Sequence, residues 1–172
     1  PQRAGTEVYR MKGISIHIIC VGKLKEKFYI DGAAEYVKRL GGYCKLQLTE
    51  LPEERLPQNP SRAQIDAALE KEAAAVTAKL PKGGALVALC VEGQLLSSEK
   101  LAARLEGWAA QGKNTLTFLI GSSYGMHPSL KEKADLRLSM SPMTFPHHLA
   151  RVMLLEQIYR CFKIAEGSGY HK

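Results

Sequence analysis

Two apolar strands in the C-terminal third of the chain each end in a loop of small and hydroxyl residues. The first strand leads into residues 121–125, Gly-Ser-Ser-Tyr-Gly, and the second leads into residues 139–146. Free backbone N–H and C=O groups at the ends of parallel strands are where α/β proteins bind nucleotides. We therefore expect the functional site between Thr115 and Lys172, and expect the first 90 residues to act mainly as scaffold.

The order of apolar patterns predicts an α/β fold with a mostly parallel sheet and helices on both faces. Residues 14–21, 85–91 and 116–120 are apolar at nearly every position, as in strands covered on both faces. Residues 45–51 alternate apolar and polar side chains, which is typical of a half-buried strand. A short fifth strand is predicted at residues 136–138, and Glu92-Gly93 is expected to end the third.

Helices are predicted at residues 28–40, at 61–80 with Ser61 as the cap, and from Ser97 or Ser98 to about 111. The last helix should run from Pro146, at the first helical position, to about residue 166. Its apolar side chains are spread over more than one side, so it needs two surfaces to pack against. A second copy of the chain would supply one of them, which predicts a homodimer. A helix wholly inside one large core is the alternative.

The length of 172 residues fits one domain, which we place at residues 11–172. Residues 1–10 show no periodicity and precede Met11-Lys12, which resembles a native start. We expect them to be an N-terminal extension, disordered or introduced by cloning. No apolar run approaches the length of a membrane-spanning helix, so no membrane association through such a helix is expected.

The charge balance favours a polyanionic partner. The chain has 24 Lys and Arg against 17 Asp and Glu, a net charge of +7. Nucleic acid is the first candidate and an anionic membrane the second, although a solvated basic surface explains the excess equally well. The four cysteines lie far apart without a C-x-x-C pair. Cys20 and Cys90 lie in apolar strand patterns and are expected to be small buried hydrophobes. The spacing of all four indicates a reduced, cytoplasmic protein without a metal site.

The loop at residues 121–125 also matches the G-x-S-x-G pattern of serine hydrolases, with Ser123 as nucleophile and Asp135 and later histidines in the required order. Pro128 stands where the helix after the nucleophile should run, and no His-Gly-Gly segment occurs upstream. We keep hydrolysis only as a minor alternative. The adjacent His147 and His148 do not face one another on a helix and do not predict a metal site.

The chain has neither G-x-x-x-x-G-K-[ST] nor G-x-G-x-x-G, so phosphate-cradle motifs are absent from the sequence. Three strand-end loops remain, at residues 89–93, 121–125 and 140–145. They offer backbone amides, small residues for close approach and apolar walls. This combination suits a flat purine with an uncharged or cationic linker better than a pyrophosphate, although ordinary turns would look similar.

Five segments resemble, in order, the ribosomal large-subunit methyltransferase H family, within the SPOUT class of S-adenosylmethionine-dependent RNA methyltransferases. They are Ile-Cys-Val-Gly-Lys-Leu-Lys from Ile19, Phe-Leu-Ile-Gly-Ser-Ser-Tyr-Gly from Phe118, Leu-Ser-Met-Ser-Pro-Met-Thr-Phe-Pro-His from Leu138, Leu-Leu-Glu-Gln-Ile-Tyr-Arg from Leu154, and the terminal Tyr-His-Lys. The match runs from Met11 to Lys172. The family often has Gly-Gly after the strand, where this chain has Gly121-Ser122.

The resemblance implies a C-terminal trefoil knot, a rare exception to the rule against threaded chains, and a homodimer. It also implies methylation of N3 of a pseudouridine in 23S ribosomal RNA on the assembled ribosome. The family positions for S-adenosylmethionine fall on Leu89, Gly121, Met140, Ser141, Pro142, Met143, Thr144 and Phe145.

The terminal Tyr170-His171-Lys172 is then the candidate segment for contacting the target base. His171, with a reference pKa of about 6.5, is the candidate proton acceptor, and Tyr170 would stack on the base or hydrogen-bond to it. Arg151 would hold a phosphate or the oxygen of the deprotonated base. Two alternatives stay open: a SPOUT methyltransferase that acts on transfer RNA, and a ribosome-binding factor without enzymatic activity.

Overall fold

The structure, a computed structural model, describes residues 11–172, so the expected N-terminal extension at residues 1–10 lies outside the described part. Strands and helices alternate along this part of the chain. The elements are β1 (Ser15–Val21), α1 (Lys27–Leu40), β2 (Lys45–Leu51), α2 (Arg62–Lys79), β3 (Ala85–Leu95), α3 (Ser98–Ala110), β4 (Thr115–Ile120), α4 (Pro128–Lys133), β5 (Leu136–Ser139) and α5 (His147–Ala165).

The five strands form one sheet in the order β2-β1-β4-β3-β5, and all neighbouring pairs are parallel. This confirms the predicted α/β fold with a mostly parallel sheet. After β2 the chain crosses to the other side of β1, so β3, β4 and β5 all lie on the side of β1 away from β2. Since all strands run in the same direction, the loops that follow β3, β4 and β5 lie at one edge, where the order of strands reverses.

Side chains of β1 enter two separate cores, because alternate residues of a strand point to opposite faces. Ile16, Ile18 and Cys20 pack with residues of α1, α3 and α5 on one face. Ile19 and Val21 pack with residues of α2 and α4 on the other face. The prediction of helices on both faces is therefore confirmed, and the continuous apolar sequence of β1 follows from it.

The prediction that Glu92-Gly93 ends β3 was wrong, because this strand continues to Leu95. Its pairing with β5 is interrupted after Leu89 and resumes at Gln94. Gly93 is needed between these points, since a Cβ atom there would lie 2.7 Å from the carbonyl oxygen of Arg137. The apolar pattern stops early because most side chains of this extension are exposed, so hydrophobicity no longer marks the strand.

The sequence does not predict α4. As expected from Pro128, no helix runs directly on from Ser123, because residues 121–127 form a loop. In the structure Pro128 is the first residue of α4. Proline suits that position because its missing N–H would have no partner in the helix anyway. The ring of His127 caps the helix by accepting a hydrogen bond from the backbone N–H of Ser129 at 3.1 Å. Pro146 differs from this. It was predicted at the first helical position of α5, but it precedes the helix as its N-cap.

Helix α5 lies against both α1 and α3 of its own chain. Gly32 of α1 faces Val152 of α5, where a Cβ atom would be in ordinary van der Waals contact with a methyl group at 3.5 Å. On the other side, Ser98 donates a hydrogen bond to Gln157 at 2.6 Å. Much of the second apolar side is thus covered within one subunit, and the homodimer stays a prediction. None of the helices in residues 11–172 is long and apolar enough to cross a membrane.

Candidate active site

A cavity of about 760 Å³ lies at the carboxyl edge of the sheet, where β3, β4 and β5 end. This volume is in the range of small-molecule and cofactor pockets, roughly 300–1,000 Å³. Its wall combines strand-end residues, two loops and the first turn of α5, through His147 and Ala150. The loops that the sequence singled out therefore do meet around one space.

The structure brings seven of the eight predicted cofactor residues together in the wall of this cavity. Pro142, the eighth, is exposed in the same loop and is not part of the wall. The assignment of these residues to a cofactor stays a prediction. The seven are Leu89, Gly121, Met140, Ser141, Met143, Thr144 and Phe145.

The loop at residues 121–125, called here the 121–125 loop, is a tight turn with close backbone packing. The backbone N–H groups of Ser122 and Gly125 each donate to the carbonyl oxygen of the other residue, at 3.0 and 2.8 Å. A Cβ atom at Gly121 would lie 2.3 Å from the carbonyl oxygen of Gly125. Gly125 itself has φ +88°, a conformation that side chains disfavour. Both glycines are therefore required by the turn.

Two glutamates from distant parts of the chain hold the serines of this loop. Ser122 donates a hydrogen bond to Glu72 of α2 at 2.9 Å, and both side chains are only 6% exposed. Ser123 donates to Glu53 through its hydroxyl at 2.6 Å and through its backbone N–H at 3.2 Å. Burial raises the pKa of the Glu72 carboxyl. Sequence reasoning missed both glutamates, because they lie 50 and 70 residues from their partners.

The hydrolase triad is not assembled in this structure. Ser123 is hydrogen-bonded to Glu53, not to a histidine. Asp135 accepts a hydrogen bond from the backbone N–H of Leu86 at 2.8 Å, beside the beginning of β3. It therefore lies at the opposite edge of the sheet from Ser123, too far away to orient a catalytic histidine.

The loop at residues 140–145, called here the 140–145 loop, is shaped by its own serines. Ser139 donates to the carbonyl oxygen of Ser141 at 3.1 Å, and the hydroxyl of Ser141 accepts from the backbone N–H of Met143 at 3.0 Å. The side chain of Met143 is left 72% exposed at the cavity. The loop thus presents an apolar side chain at the opening while its backbone stays fixed by short-range bonds.

The cavity wall is mostly apolar, and its charged groups Lys131 and Glu92 pair with each other. This contact lowers the pKa of the Glu92 carboxyl. Burial lowers the pKa of His147, which favours the neutral form of its ring. Cys90, expected to be a buried hydrophobe, is only half-buried and lies in the cavity wall, where desolvation raises its pKa.

Arg151 lies outside the cavity wall, and its side chain is 2% exposed. One guanidinium nitrogen pairs with Glu50 at 2.5 Å, and another donates to the carbonyl oxygen of Gly22 at 2.9 Å. The side chain therefore ties α5 to the ends of β1 and β2. The predicted contact with a phosphate or with the target base stays a prediction, and in this structure the charge already has protein partners.

The terminal segment packs on α5 and α3 away from the cavity. Tyr170 donates its hydroxyl to Glu156 at 3.0 Å, with its ring 4.8 Å from the guanidinium carbon of Arg160. His171 contacts Glu99 at 2.5 Å and Arg160 at 3.1 Å. Arg160 follows Ala150 of the cavity wall by ten residues, roughly 15 Å along the helix axis at 1.5 Å per residue. Within one subunit, Tyr170 and His171 are therefore separate from the cofactor residues.

Two groups of basic side chains can be compared as candidates for contacts with RNA. Lys23, Lys25 and Lys27 are exposed in and beside the loop that follows β1, at the same edge of the sheet as the cavity. Lys27 already pairs with Asp31 one turn along α1, and Arg160 and Lys163 are paired with Glu156 and Glu166 of α5 and its C-cap. Within residues 11–172 no cluster of three or more His, Cys, Asp or Glu side chains is arranged to hold a metal ion.

Comparisons with known proteins agree with these features. A family model described as "Predicted SPOUT methyltransferase" matches residues 14–171. The chain is 48% identical over 159 residues to the ribosomal RNA large subunit methyltransferase H of Desulforamulus reducens, covering 92% of this chain and 99% of that protein. It is 42% identical over 159 residues to the protein of the same name from Listeria monocytogenes, covering 92% and 100%.

Solved structures show the same fold at low sequence identity. A probable methyltransferase from Bordetella pertussis Tohama I superposes with a TM-score of 0.55 at 14% identity, over 89% of this chain and 96% of that chain. A putative methylase family protein from Neisseria gonorrhoeae gives 0.52 at 17% identity, over 92% and 86%. The chain belongs to the SPOUT methyltransferase family and, within it, to the group named ribosomal RNA large subunit methyltransferase H.

Proposed function

We propose that this protein transfers a methyl group from S-adenosylmethionine to ribosomal RNA of the large subunit. One observation carries the proposal: three strand-end loops enclose a cavity of cofactor size in a chain of this family. The names of its relatives in D. reducens and L. monocytogenes support ribosomal RNA as the substrate. A ribosomal substrate would place the protein in the cytoplasm.

The residues of the cavity fit this donor. Gly121 allows the close packing of the 121–125 loop beside the cavity, and Leu89, Leu138 and Met140 supply apolar surface for a purine. Lys131 is paired with Glu92, and burial of His147 favours its neutral form, so these two groups present little positive charge to a cationic ligand. The residues proposed to hold it are Leu89, Gly121 and the six positions 140–145. When bound, S-adenosylmethionine supplies a methyl group that its positively charged sulfur has already activated.

We further propose N3 of a pseudouridine as the acceptor, as the family resemblance implies. That nitrogen must lose its proton for transfer to occur. His171 is the proposed acceptor of this proton. Arg160 can only donate, so Nδ1 of His171 carries the lone pair, and release of the Arg160 contact would free it for the base. Alignment of donor and acceptor is an entropic contribution to the rate that needs no further charged group.

The distance between the cavity and the terminal segment supports a homodimer through α5. The terminal segment must reach a target base bound at a cavity. It can do so if it moves away from Arg160, or if it belongs to a second copy of the chain and reaches the cavity of its partner. The exposed apolar side chains Phe28, Ile30 and Val37 of α1, next to α5, are available for such a contact. The trefoil knot that the resemblance implies also stays a prediction.

Recognition of the ribosome is proposed to use the basic loop after β1. Exposed Lys23, Lys25 and Lys27 at the cavity edge can bind RNA phosphates. A chain this small recognises RNA mainly through shape, so we propose that the assembled ribosome is the substrate. Action on transfer RNA, or ribosome binding without catalysis, are the other candidates.

The direct test is transfer of a labelled methyl group by the purified protein to ribosomes, to protein-free 23S ribosomal RNA and to transfer RNA. We expect label on pseudouridine of the ribosomal sample and much less on protein-free RNA. Label on transfer RNA alone, or no transfer to any substrate despite ribosome binding, would contradict the proposal. A variant that ends at Gly169 should bind the donor with nearly unchanged affinity yet transfer no methyl group. The full-length Lys82→Ala variant, changed at an exposed turn, is the control.

A further inference from the structure

We infer that Glu53 and Glu72 are positioning residues of the methyl-donor site, because they hold the 121–125 loop through its two serines. This inference rests on the proposed function, since it assumes that the cavity binds S-adenosylmethionine. Neither glutamate is in the cavity wall, and both act through Ser122 and Ser123, which are. We call Glu53 and Glu72 the glutamate pair.

Glu72 holds the loop from the interior. It lies on the face of α2 that packs under the sheet, among the buried residues Leu69, Ala73 and Val76. One carboxyl oxygen accepts the hydroxyl of Ser122, and the other accepts the backbone N–H of Glu54, both at 2.9 Å. A carboxyl group in such apolar surroundings costs free energy unless it is hydrogen-bonded. Both of its oxygens are satisfied here, and one of the two bonds goes to the loop that lines the cavity.

Glu53 holds the loop from the exposed side. Its Oε1 atom accepts both the hydroxyl and the backbone N–H of Ser123. Because the next residue, Glu54, is bonded through its backbone to Glu72, the segment after β2 is itself fixed to α2. The two consecutive serines are therefore held from opposite sides by one connected set of hydrogen bonds.

The 121–125 loop needs such support because its backbone is intrinsically flexible. Glycine at both ends gives it a large conformational entropy in the absence of other contacts. The internal Ser122–Gly125 bonds close the turn but do not fix its orientation against the sheet. Fixing the loop before binding lowers the entropic cost of ligand association. We therefore expect the glutamate pair to act on donor affinity more than on RNA binding.

The test measures donor affinity by calorimetry, and kcat and KM on ribosomes, for Ser122→Ala, Glu53→Ala and Glu72→Gln. The loss of a hydrogen bond to a charged group should weaken donor affinity by about tenfold in the first two variants. KM for ribosomes should stay unchanged. In Glu72→Gln the amide can still accept from Glu54 and contact Ser122, so this variant should remain closer to the wild type than Ser122→Ala. Glu70→Gln, an exposed position of the same helix, is the matched control and should have no effect.

A double-mutant cycle tests whether the glutamate acts through its serine. Ser123→Ala keeps the backbone N–H bond to Glu53, so its combination with Glu53→Ala should weaken donor affinity no more than Glu53→Ala alone. Additive losses would contradict the inference, as would affinities of Ser122→Ala and Glu53→Ala within twofold of the wild type. Wild-type protein that binds no donor would instead overturn the proposed function itself, and the inference with it. The two failures are therefore distinguishable from the same titrations.

Discussion

At the scale of single residues, the sequence predicted which residues line the cavity, but it did not predict the partners of its charged side chains. Arg151 was predicted to hold a phosphate, yet its charge is buried against Glu50, 101 residues away in the sequence. Residues of the cavity wall could be predicted because a loop at the end of a strand can be identified from the local sequence alone. Glu53 and Glu72 were missed because a lone glutamate on a helix or in a loop carries no local sign of burial or of its partner.

Replacement of Arg151 by Ala should lower the free energy of unfolding by about 1.5–3 kcal/mol, because it removes the hydrogen bonds from the buried guanidinium to Gly22 and to the partly exposed carboxyl of Glu50. Arg62→Ala, which breaks an exposed pair with Asp66, should cost about 1 kcal/mol or less. Urea denaturation of both variants measures the difference. Equal, small losses would mean that the Arg151 pair contributes no more than a surface pair.

Glu72 should make stability depend on pH. Burial raises the pKa of its carboxyl above 4.5, and the nearby Glu53 and Glu54 act in the same direction. The folded state then binds more protons than the unfolded state between 4.5 and the raised pKa. The stabilising contribution of the protonated form is present below this window and is lost as the pH rises through it.

Glu72→Gln should therefore show a flatter fall in the free energy of unfolding over that pH window than the wild type. Denaturation curves at several pH values from 4.5 upward measure both slopes, with Glu70→Gln as a control that should behave like the wild type. Identical slopes for all three proteins would show that Glu72 has an ordinary pKa.

At the scale of helices and strands, prediction succeeded where hydrophobic periodicity matches burial. The bounds of β2 were predicted as observed, and α2 begins after Ser61, whose side chain accepts from the N–H of Gln64 in a capping box. The prediction failed for an exposed strand extension, which is paired through its backbone, and for a short helix that begins at a proline. The extension of β3 beyond Val91 is mostly exposed, and α4 has only six residues, so neither leaves an apolar pattern.

Replacement by alanine should have opposite effects at two glycines, one in the 121–125 loop and one in α3. Gly121→Ala places a Cβ atom 2.3 Å from a backbone oxygen, so the turn must distort, and donor affinity should fall by about tenfold or more. Gly107 lies inside α3 with open space where a Cβ atom would stand, so Gly107→Ala should stabilise the protein by about 0.5–1 kcal/mol. Calorimetry and thermal melting measure the two effects. Normal donor binding by Gly121→Ala would contradict the role given to that turn.

At the scale of the whole molecule, one property of the fold made the site predictable. Parallel strands end at a common edge, so three loops distant in sequence had to converge there. The position of the terminal segment was not predictable in this way, because it depends on side-chain contacts with Glu99, Glu156 and Arg160. Whether a second chain completes the site was not predictable from a motif either, because association depends on the shape and chemistry of the exposed surface.

Mixed dimers test whether one subunit supplies its terminal segment to the cavity of another. One subunit would end at Gly169, and the other would carry Gly121→Val, which blocks the cavity turn. Each homodimer should be inactive. Co-refolded equal mixtures should recover about a quarter of wild-type activity, since half of the dimers are mixed and each has one complete site. A mixture as inactive as its parts would show that the segment acts within its own subunit.

Calorimetric titration of the folded wild-type protein with S-adenosylmethionine tests most directly whether the three loops form a methyl-donor site. We expect saturable heat with one binding site per chain, abolished or strongly weakened in Gly121→Val and unchanged in Glu70→Gln. A well-folded protein that releases no heat at any donor concentration would contradict the assignment of this cavity.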